Sequence, residues 1–198
     1  MGTNTENQTR LMATEPITIL HQESDTAETR VLYENIPKRI VTAFSTKWKA
    51  EFLNTAKTKS ASVQKAPAKD SITVVSDKFD IHRDIVSWML SCCESKGVRP
   101  FANPKYKPYS YLYFVHTCAA VLDCEYLEED ANKRMERIAQ PQIHSEDVRA
   151  LYLMNPADNK MRKFLVKHVA IRFWEKRLKA KSACWTLREE DPGIQQCD

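Results

Sequence analysis

Residues 31–48 read VLYENIPKRIVTAFSTKW, and the spacing of their apolar side chains changes part-way along. The first part, as far as Asn35, is typical of a short strand. From Ile40 onward the apolar residues recur every three or four positions, which predicts a helix with a break near Ser45. Pro37 stands where a helix favours its first residue. A strand that passes directly into a helix is therefore the starting point for the fold.

Two more strands and a series of helices are predicted around this segment. Ile17, Ile19 and His21 alternate with their neighbours as in a strand, and SITVV at residues 71–75 predicts another. From Asp80 almost to the end, the apolar spacing is helical. A few early strands followed by many helices predict an α+β fold in which helices dominate.

The predicted helices have identifiable ends. Gly97 is expected to follow the end of the helix that begins near Asp80. Ser145 is expected to cap a later helix, and Asp158 or Asn159 to cap the last long one. The last helix is expected to bury five apolar residues and then to become basic. These residues are Met161, Phe164, Leu165, Val169 and Phe173, followed by Lys176, Arg177, Lys179 and Lys181.

Six cysteines raise the question of metal binding or redox chemistry. They lie at positions 92, 93, 118, 124, 184 and 197, and none has the Cys-x-x-Cys spacing of common zinc sites. Helical spacing places Cys92 and Cys93 on two adjacent lines that face the core. Free cysteine is among the most buried residue types, so these thiols are interpreted as core packing. No metal and no cofactor are predicted.

Glycine spacing excludes several enzyme classes. The chain of 198 residues has three glycines, Gly2, Gly97 and Gly193, which are too far apart for a phosphate-binding loop, a dinucleotide fingerprint or a nucleophile elbow. The histidines fall in different predicted elements without a carboxylate at a diagnostic spacing, so no catalytic residue is predicted. These histidines are His21, His82, His116, His144 and His168.

The charge and the N-terminal sequence bear on location. The net charge is only +4, no apolar run is long enough to span a bilayer, and the first residues are polar without a secretion signal. We therefore expect an intracellular protein of the cytoplasm or nucleus, without a membrane partner.

Two surface features have alternative interpretations. Lysines at 57–69 and basic residues at 176–181 indicate either a solvated surface or a nucleic-acid contact, and the sequence shows no interleaved aromatic platform there. Four aromatic residues near helix ends indicate either an exposed interface or cover for the core. They are Phe101, Tyr106, Tyr109 and Tyr113.

Several segments resemble the BTB/POZ domain. PKRIVTAFSTKW resembles the family's signature, with Val41, Ser45 and Trp48 at its apolar, serine and aromatic positions and Pro37 where the family usually has His. SITVV is similar to the strand that follows the signature, and FDIHRDIVSWMLSCC to the next helix. CAAVLDCEYL is similar to the family's Ala-Ala-Asp-x-x-x-Leu-x-x-Leu stretch. The resemblance spans about residues 28–180 and is closest to a divergent group of fungal BTB-like proteins.

The resemblance implies a BTB/POZ-like fold and a non-enzymatic protein–protein interaction module of the adaptor or scaffold type. Its implied partners are other proteins, including a second copy of the chain or a cullin-type ubiquitin ligase scaffold. The alternative is a nucleic-acid-associated protein that uses the basic loop and the basic C-terminal helix. The predicted organisation is a tail at 1–14, a BTB/POZ-like domain at 15–140 with a mobile loop at 54–70, a helical extension at 141–190 and a loose tail at 191–198.

Overall fold

A computed structural model describes residues 15–58, 70–93, 98–102, 104 and 107–190. The predicted α+β class is confirmed, because this part of the chain contains a small mixed sheet and a larger number of helices. The strands are β1 (Pro16–Gln22), β2 (Arg30–Pro37) and β3 (Ser71–Val75). The helices are α1 (Lys38–Phe44), α2 (Thr46–Thr58), α3 (Phe79–Cys93), α4 (Pro108–Val121), α5 (Glu125–Ala139), α6 (Ser145–Tyr152), α7 (Asn159–Trp174) and α8 (Lys181–Glu190).

The sheet has the strand order β2-β1-β3, with β1 in the centre. β1 runs antiparallel to β2 and parallel to β3, and Ile19 lies opposite Tyr33 on one side and Ile72 on the other. The alternation predicted for β1 is confirmed, since Ile17, Ile19 and His21 are all buried. The central strand therefore directs three side chains into the core, one of them an imidazole.

The chain passes directly from β2 into a helix, as the sequence predicts, but some of the predicted boundaries are displaced. Pro37 is the last residue of β2 and precedes the first helical residue, Lys38, so its predicted place inside the helix is wrong by one position. The break near Ser45 is confirmed, because this residue separates α1 from α2 in an extended conformation. α2 continues to Thr58, so the loop predicted for 54–70 begins too early, and its residues 59–69 lie outside the described residues.

Ser45 connects the break between α1 and α2 to the turn after α4. Its hydroxyl donates a hydrogen bond to the Leu122 carbonyl oxygen and accepts one from the Trp48 amide at 3.1 Å. The Lys47 ammonium donates to the Val121 carbonyl oxygen at 3.1 Å. Ser45 is buried, so its two bonds satisfy polar groups that water does not reach, whereas the Lys47 bond is exposed.

Helix α3 supplies much of the core beside the sheet. It buries seven residues, among them Ile85, Val86 and Met89, with no accessible surface. The prediction that Cys92 and Cys93 face the core is confirmed, because each is 7% exposed. The Cys92 sulfur accepts a hydrogen bond from the Arg99 amide at 3.3 Å. Gly97, the expected end of this helix, lies outside the described residues.

The chain divides into two compact units. Unit 1 comprises Met1–Ala102 with Phe114–Ala131, and unit 2 comprises Asn103–Tyr113 with Asn132–Asp198. The boundaries fall within α4 and α5, whereas the sequence suggested a division after residue 140, which stays a prediction. The predicted tails at 1–14 and 191–198 lie outside the described residues.

Candidate interaction surface

Helix α7 in unit 2 begins at a carboxylate cap. Oδ1 of Asp158 accepts hydrogen bonds from the amides of Lys160 at 2.8 Å and Met161 at 3.0 Å, as one of the two predicted caps. Oδ2 of Asp158 accepts a hydrogen bond from the Tyr113 hydroxyl at 2.6 Å. The hydrogen bond from Tyr113 is the main reason that the pKa of Asp158 is lowered. The start of α7 is thereby fixed to α4.

The other end of α7 is fixed by an arginine. The Arg172 guanidinium donates to the carbonyl oxygens of Ala139 at 3.2 Å, Gln140 at 2.7 Å and Pro141 at 3.1 Å. These carbonyls belong to the end of α5 and the turn that follows. Because charged hydrogen bonds hold both ends, the orientation of α7 within unit 2 is well determined.

Helix α7 buries much less than the sequence predicted. Of the five residues expected in its core, only Leu165 is buried, and His168 is its only other buried residue. Phe164 is 40% exposed and Phe173 is 44% exposed, so their predicted burial is wrong. Met161 and Val169 are partly exposed. Apolar residues occur on several sides of α7, and only one side of a helix faces its own unit.

The exposed apolar side chains form a surface along α7. Phe164, Ile171 and Trp174 follow the helical spacing i, i+7 and i+10, which places them on one side of the helix. Trp174 is 81% exposed. Lys163 and Lys167 are exposed between and beside these residues. We call these five residues the α7 outer face.

Two further aromatic side chains lie next to this face at the C-terminal end of α7. The Phe173 ring contacts the Trp174 ring at 6.4 Å and the Trp185 ring of α8 at 6.0 Å between centroids. The sequence did not predict α8. Of the basic residues expected at the end of the last helix, Lys176, Arg177 and Lys179 lie in the turn between α7 and α8, and Lys181 is the first residue of α8. The expectation that no aromatic platform accompanies these basic residues is therefore wrong.

The same region has a strong excess of positive charge. Residues 159–181 contain nine basic residues and one acidic residue, a net charge of +8, although the whole chain carries +4. The acidic residue, Glu175, accepts hydrogen bonds from Arg172 and Arg177. Among the basic side chains of this region, Lys163, Lys167, Lys176, Lys179 and Lys181 have no ion pair to any residue in the described ranges.

Of the two interpretations of the aromatic residues near Phe101, the described residues fit cover for the core. Phe101 and Tyr109 are each 4% exposed and Tyr113 is buried, so these aromatic residues cover the core, while Tyr106 lies outside the described residues. The expected cap of α6 is also displaced by one residue. His144, rather than Ser145, is the cap, and its Nδ1 accepts a hydrogen bond from the Glu146 amide at 3.3 Å.

The structure brings together two histidines that the sequence left apart. His21 of β1 and His82 of α3 are buried with ring centroids 5.8 Å apart. Nε2 of His21 and both ring nitrogens of His82 have no hydrogen-bond partner among the described residues. Burial, followed by the neighbouring His21, lowers the pKa of His82 to about 4. Both positions face inward in the predicted strand and helix patterns, which indicates that each is buried but does not show that they meet.

The remaining histidines are in separate places. Nε2 of His116 lies 3.7 Å from a Glu128 carboxylate oxygen. Nε2 of His168 accepts a hydrogen bond from the Ile143 amide at 3.2 Å, so the proton of the neutral ring lies on Nδ1. Burial is the main reason that the pKa of His168 is lowered. One of these imidazoles thus binds a backbone amide, and the other lies beside a carboxylate.

The cysteines of unit 1 are part of its core. Burial raises the pKa of Cys118 to about 12 and also raises the pKa of Cys124, so both are neutral thiols at physiological pH. Cys184 is partly exposed, and Cys197 lies outside the described residues. Within the described ranges no group of three histidine, cysteine or acidic residues is arranged to hold a metal ion.

Comparisons of this chain with protein-family models, curated proteins and solved structures found no match. In the described residues, no helix has both the length and the apolar character needed to cross a bilayer. The candidate surface is therefore interpreted from its own geometry.

Proposed function

We propose that this protein is a non-enzymatic protein–protein interaction module, with unit 1 built as a BTB/POZ-like domain. The observation that carries the proposal is the exposed apolar surface of α7. A helix with apolar side chains on several sides is normally buried, and contiguous exposed apolar patches mark contact sites. Here the patch includes a tryptophan that is 81% exposed. Tryptophan is enriched among the residues that dominate binding energy at interfaces.

The order of elements in unit 1 supports the BTB/POZ resemblance. The segment similar to the family signature is followed by β3 and then by α3, as the resemblance implies. The signature serine, Ser45, donates its hydrogen bond to Leu122. Leu122 belongs to the CAAVLDCEYL segment, so two of the segments that carry the resemblance are bonded to each other. The implied partner classes, a second copy or a cullin-type scaffold, stay predictions.

The proposal is tested by comparing the wild type with Trp174→Ser. Light scattering measures self-association, and affinity capture with mass spectrometry identifies proteins retained from a lysate. The control is Leu53→Ser, because Leu53 is 54% exposed on α2 and lies in the other unit. We expect the self-association or the retained proteins to be lost in Trp174→Ser and kept in the control. A monomeric wild type that retains the same proteins as Trp174→Ser would contradict the proposal.

A second candidate function is nucleic-acid binding. It is favoured by the exposed rings of Phe173, Trp174 and Trp185 beside the basic turn, because bases stack on aromatic rings in positively charged grooves. The aliphatic part of the surface, including Ile171, offers nothing to a stacked base and favours a protein partner. A steep loss of DNA or RNA retardation with rising salt would support this candidate, and no retardation at low salt would remove it.

A further inference from the structure

We propose that the α7 outer face binds an amphipathic helix of another protein, in which acidic residues flank an apolar stripe. The inference rests on the proposed function and adds the chemistry of the partner. It depends on three properties of the face: the spacing of its apolar residues, the position of its lysines and the fixed orientation of α7.

The apolar spacing matches a helix laid along α7. Phe164 and Trp174 are ten positions apart on α7, with Ile171 between them, which corresponds to roughly 15 Å at the rise of an α-helix. A partner helix presents anchors at i, i+3 or i+4, and i+7 over a similar length. Phe164 is supported from behind by stacking on Tyr109, with centroids 6.4 Å apart and ring planes at 7°. The face is therefore preorganised at its first anchor.

The lysines favour a partner with carboxylates. Lys167 lies on the same side of α7 between Phe164 and Ile171, and Lys163 lies one turn before Lys167. Neither ammonium group has an ion pair within the described ranges. Glu175 is already bonded to two arginines, so it does not neutralise them. Acidic residues on a partner helix would complement these charges and speed its association.

The position of Lys167 also argues against a membrane surface as the target. An interfacial helix inserts an apolar side into the acyl region and keeps its charged residues on the opposite side. Inserting Phe164 and Ile171 would carry Lys167 toward the hydrocarbon without a counter-charge. A partner carboxylate supplies that counter-charge while the apolar residues on either side of Lys167 remain covered.

The experiment uses the full chain and fluorescence anisotropy of synthetic peptides. The probe is a peptide of about 18 residues, or five helical turns, with leucine in a helical stripe and glutamate at its flanks. One control peptide has lysine in place of glutamate, and another has the same composition without the stripe. We expect the glutamate peptide to bind in the micromolar range and the two controls to bind at least about tenfold more weakly.

Variants of the protein locate the binding. Trp174→Ser and Ile171→Ser are each expected to weaken binding of the glutamate peptide by at least about tenfold. Lys163→Gln combined with Lys167→Gln should weaken binding several-fold and reduce its salt dependence. Lys49→Gln, a change of another exposed lysine in unit 1, should have no effect. Circular dichroism of each variant verifies that it is folded.

Each other outcome overturns the inference. Equal binding of the lysine and glutamate peptides would show that the face does not recognise charge. If the peptide without the stripe bound as tightly as the glutamate peptide, the face would not recognise the helical spacing of the leucines. Tighter binding of a single-stranded oligonucleotide, or of vesicles with anionic lipid, would assign the face to another class of ligand. If the peptide does not bind but Trp174→Ser still abolishes capture or self-association, the proposed function survives and only the acidic partner is wrong.

Discussion

Helices α3 and α7 are nearly equal in length but are used in opposite ways. α3 spans Phe79–Cys93 and buries seven side chains in unit 1, whereas α7 spans Asn159–Trp174 and buries two in unit 2. α7 nevertheless has a comparable supply of large apolar residues, and most of them face outward. The comparison fits the proposal that α3 stabilises its own unit and that α7 contacts another molecule. Substitutions in the two helices should therefore separate stability from binding.

The largest expected effect on stability comes from the centre of α3. Met89 has no exposed surface, so Met89→Ala removes buried apolar volume and leaves a cavity. We expect a loss of about 2–5 kcal/mol in the free energy of unfolding, measured by urea denaturation. Met89→Leu, which keeps the volume, should cost less than about 1.5 kcal/mol. If both variants lost the same free energy of unfolding, the buried volume of Met89 would not be what stabilises the core.

The buried imidazole of α3 predicts a dependence of stability on pH. The pKa of His82 falls from 6.5 to about 4 on folding, so the native state binds fewer protons than the unfolded state between these values. Its contribution to stability is complete above pH 6.5 and is lost as the pH falls toward 4. The loss is roughly 3 kcal/mol. The lowered pKa of His21 acts in the same direction.

This pH dependence is measured by urea denaturation at a series of pH values. His82→Leu removes the titrating ring and its unbonded nitrogens, so the fall in stability between neutral and acidic pH should become smaller. Met89→Leu serves as the control because it alters the same helix without removing a titrating group. The assignment to His82 is refuted if His82→Leu keeps the full acid sensitivity of the wild type.

The break between α1 and α2 predicts a smaller effect. Ser45→Ala leaves the Leu122 carbonyl oxygen and the Trp48 amide without their buried partner. We expect a loss of about 1–3 kcal/mol in the free energy of unfolding. Thr42→Ala is a suitable control, since the Thr42 hydroxyl bonds only within its own helix at Lys38 and Arg39. A larger loss of stability in Thr42→Ala than in Ser45→Ala would mean that the Ser45 hydrogen bonds are not the main stabilising contacts of this break.

Helices α3 and α7 also show which parts of the structure could be predicted from the sequence. The strands, the start of α2 after Ser45 and the inward direction of Cys92 follow from local spacing, because pleat and helix geometry fix which side chains share a face. The His21–His82 pair depends on packing of α3 beside the sheet, which local spacing does not specify. The burial of Phe164 and Phe173 was wrongly predicted because hydrophobicity shows that a residue favours burial, without showing which surface covers it.

The buried thiols predict a still smaller effect. Cys93→Ala removes one sulfur from the inner side of α3, and we expect a loss of about 1 kcal/mol in the free energy of unfolding. Elemental measurement of the purified protein should find no stoichiometric zinc. Cys92→Ala should cost slightly more than Cys93→Ala, because it also removes the acceptor of the hydrogen bond from the Arg99 amide. Zinc released in equal amount to protein on unfolding would overturn the interpretation of these thiols as core packing.

The smallest effect on stability is expected on the outer face of α7. Because Trp174 is 81% exposed, Trp174→Ser should change the free energy of unfolding by no more than about 0.5 kcal/mol. Leu165→Ala, on the buried side of the same helix, should cost at least about 2 kcal/mol by urea denaturation. A large loss of unfolding free energy in Trp174→Ser would mean that the indole stabilises its own unit, which would weaken its assignment to partner binding. A small loss, together with loss of binding, would separate the two roles within a single helix, because the side facing unit 2 would determine stability and the opposite side would determine recognition.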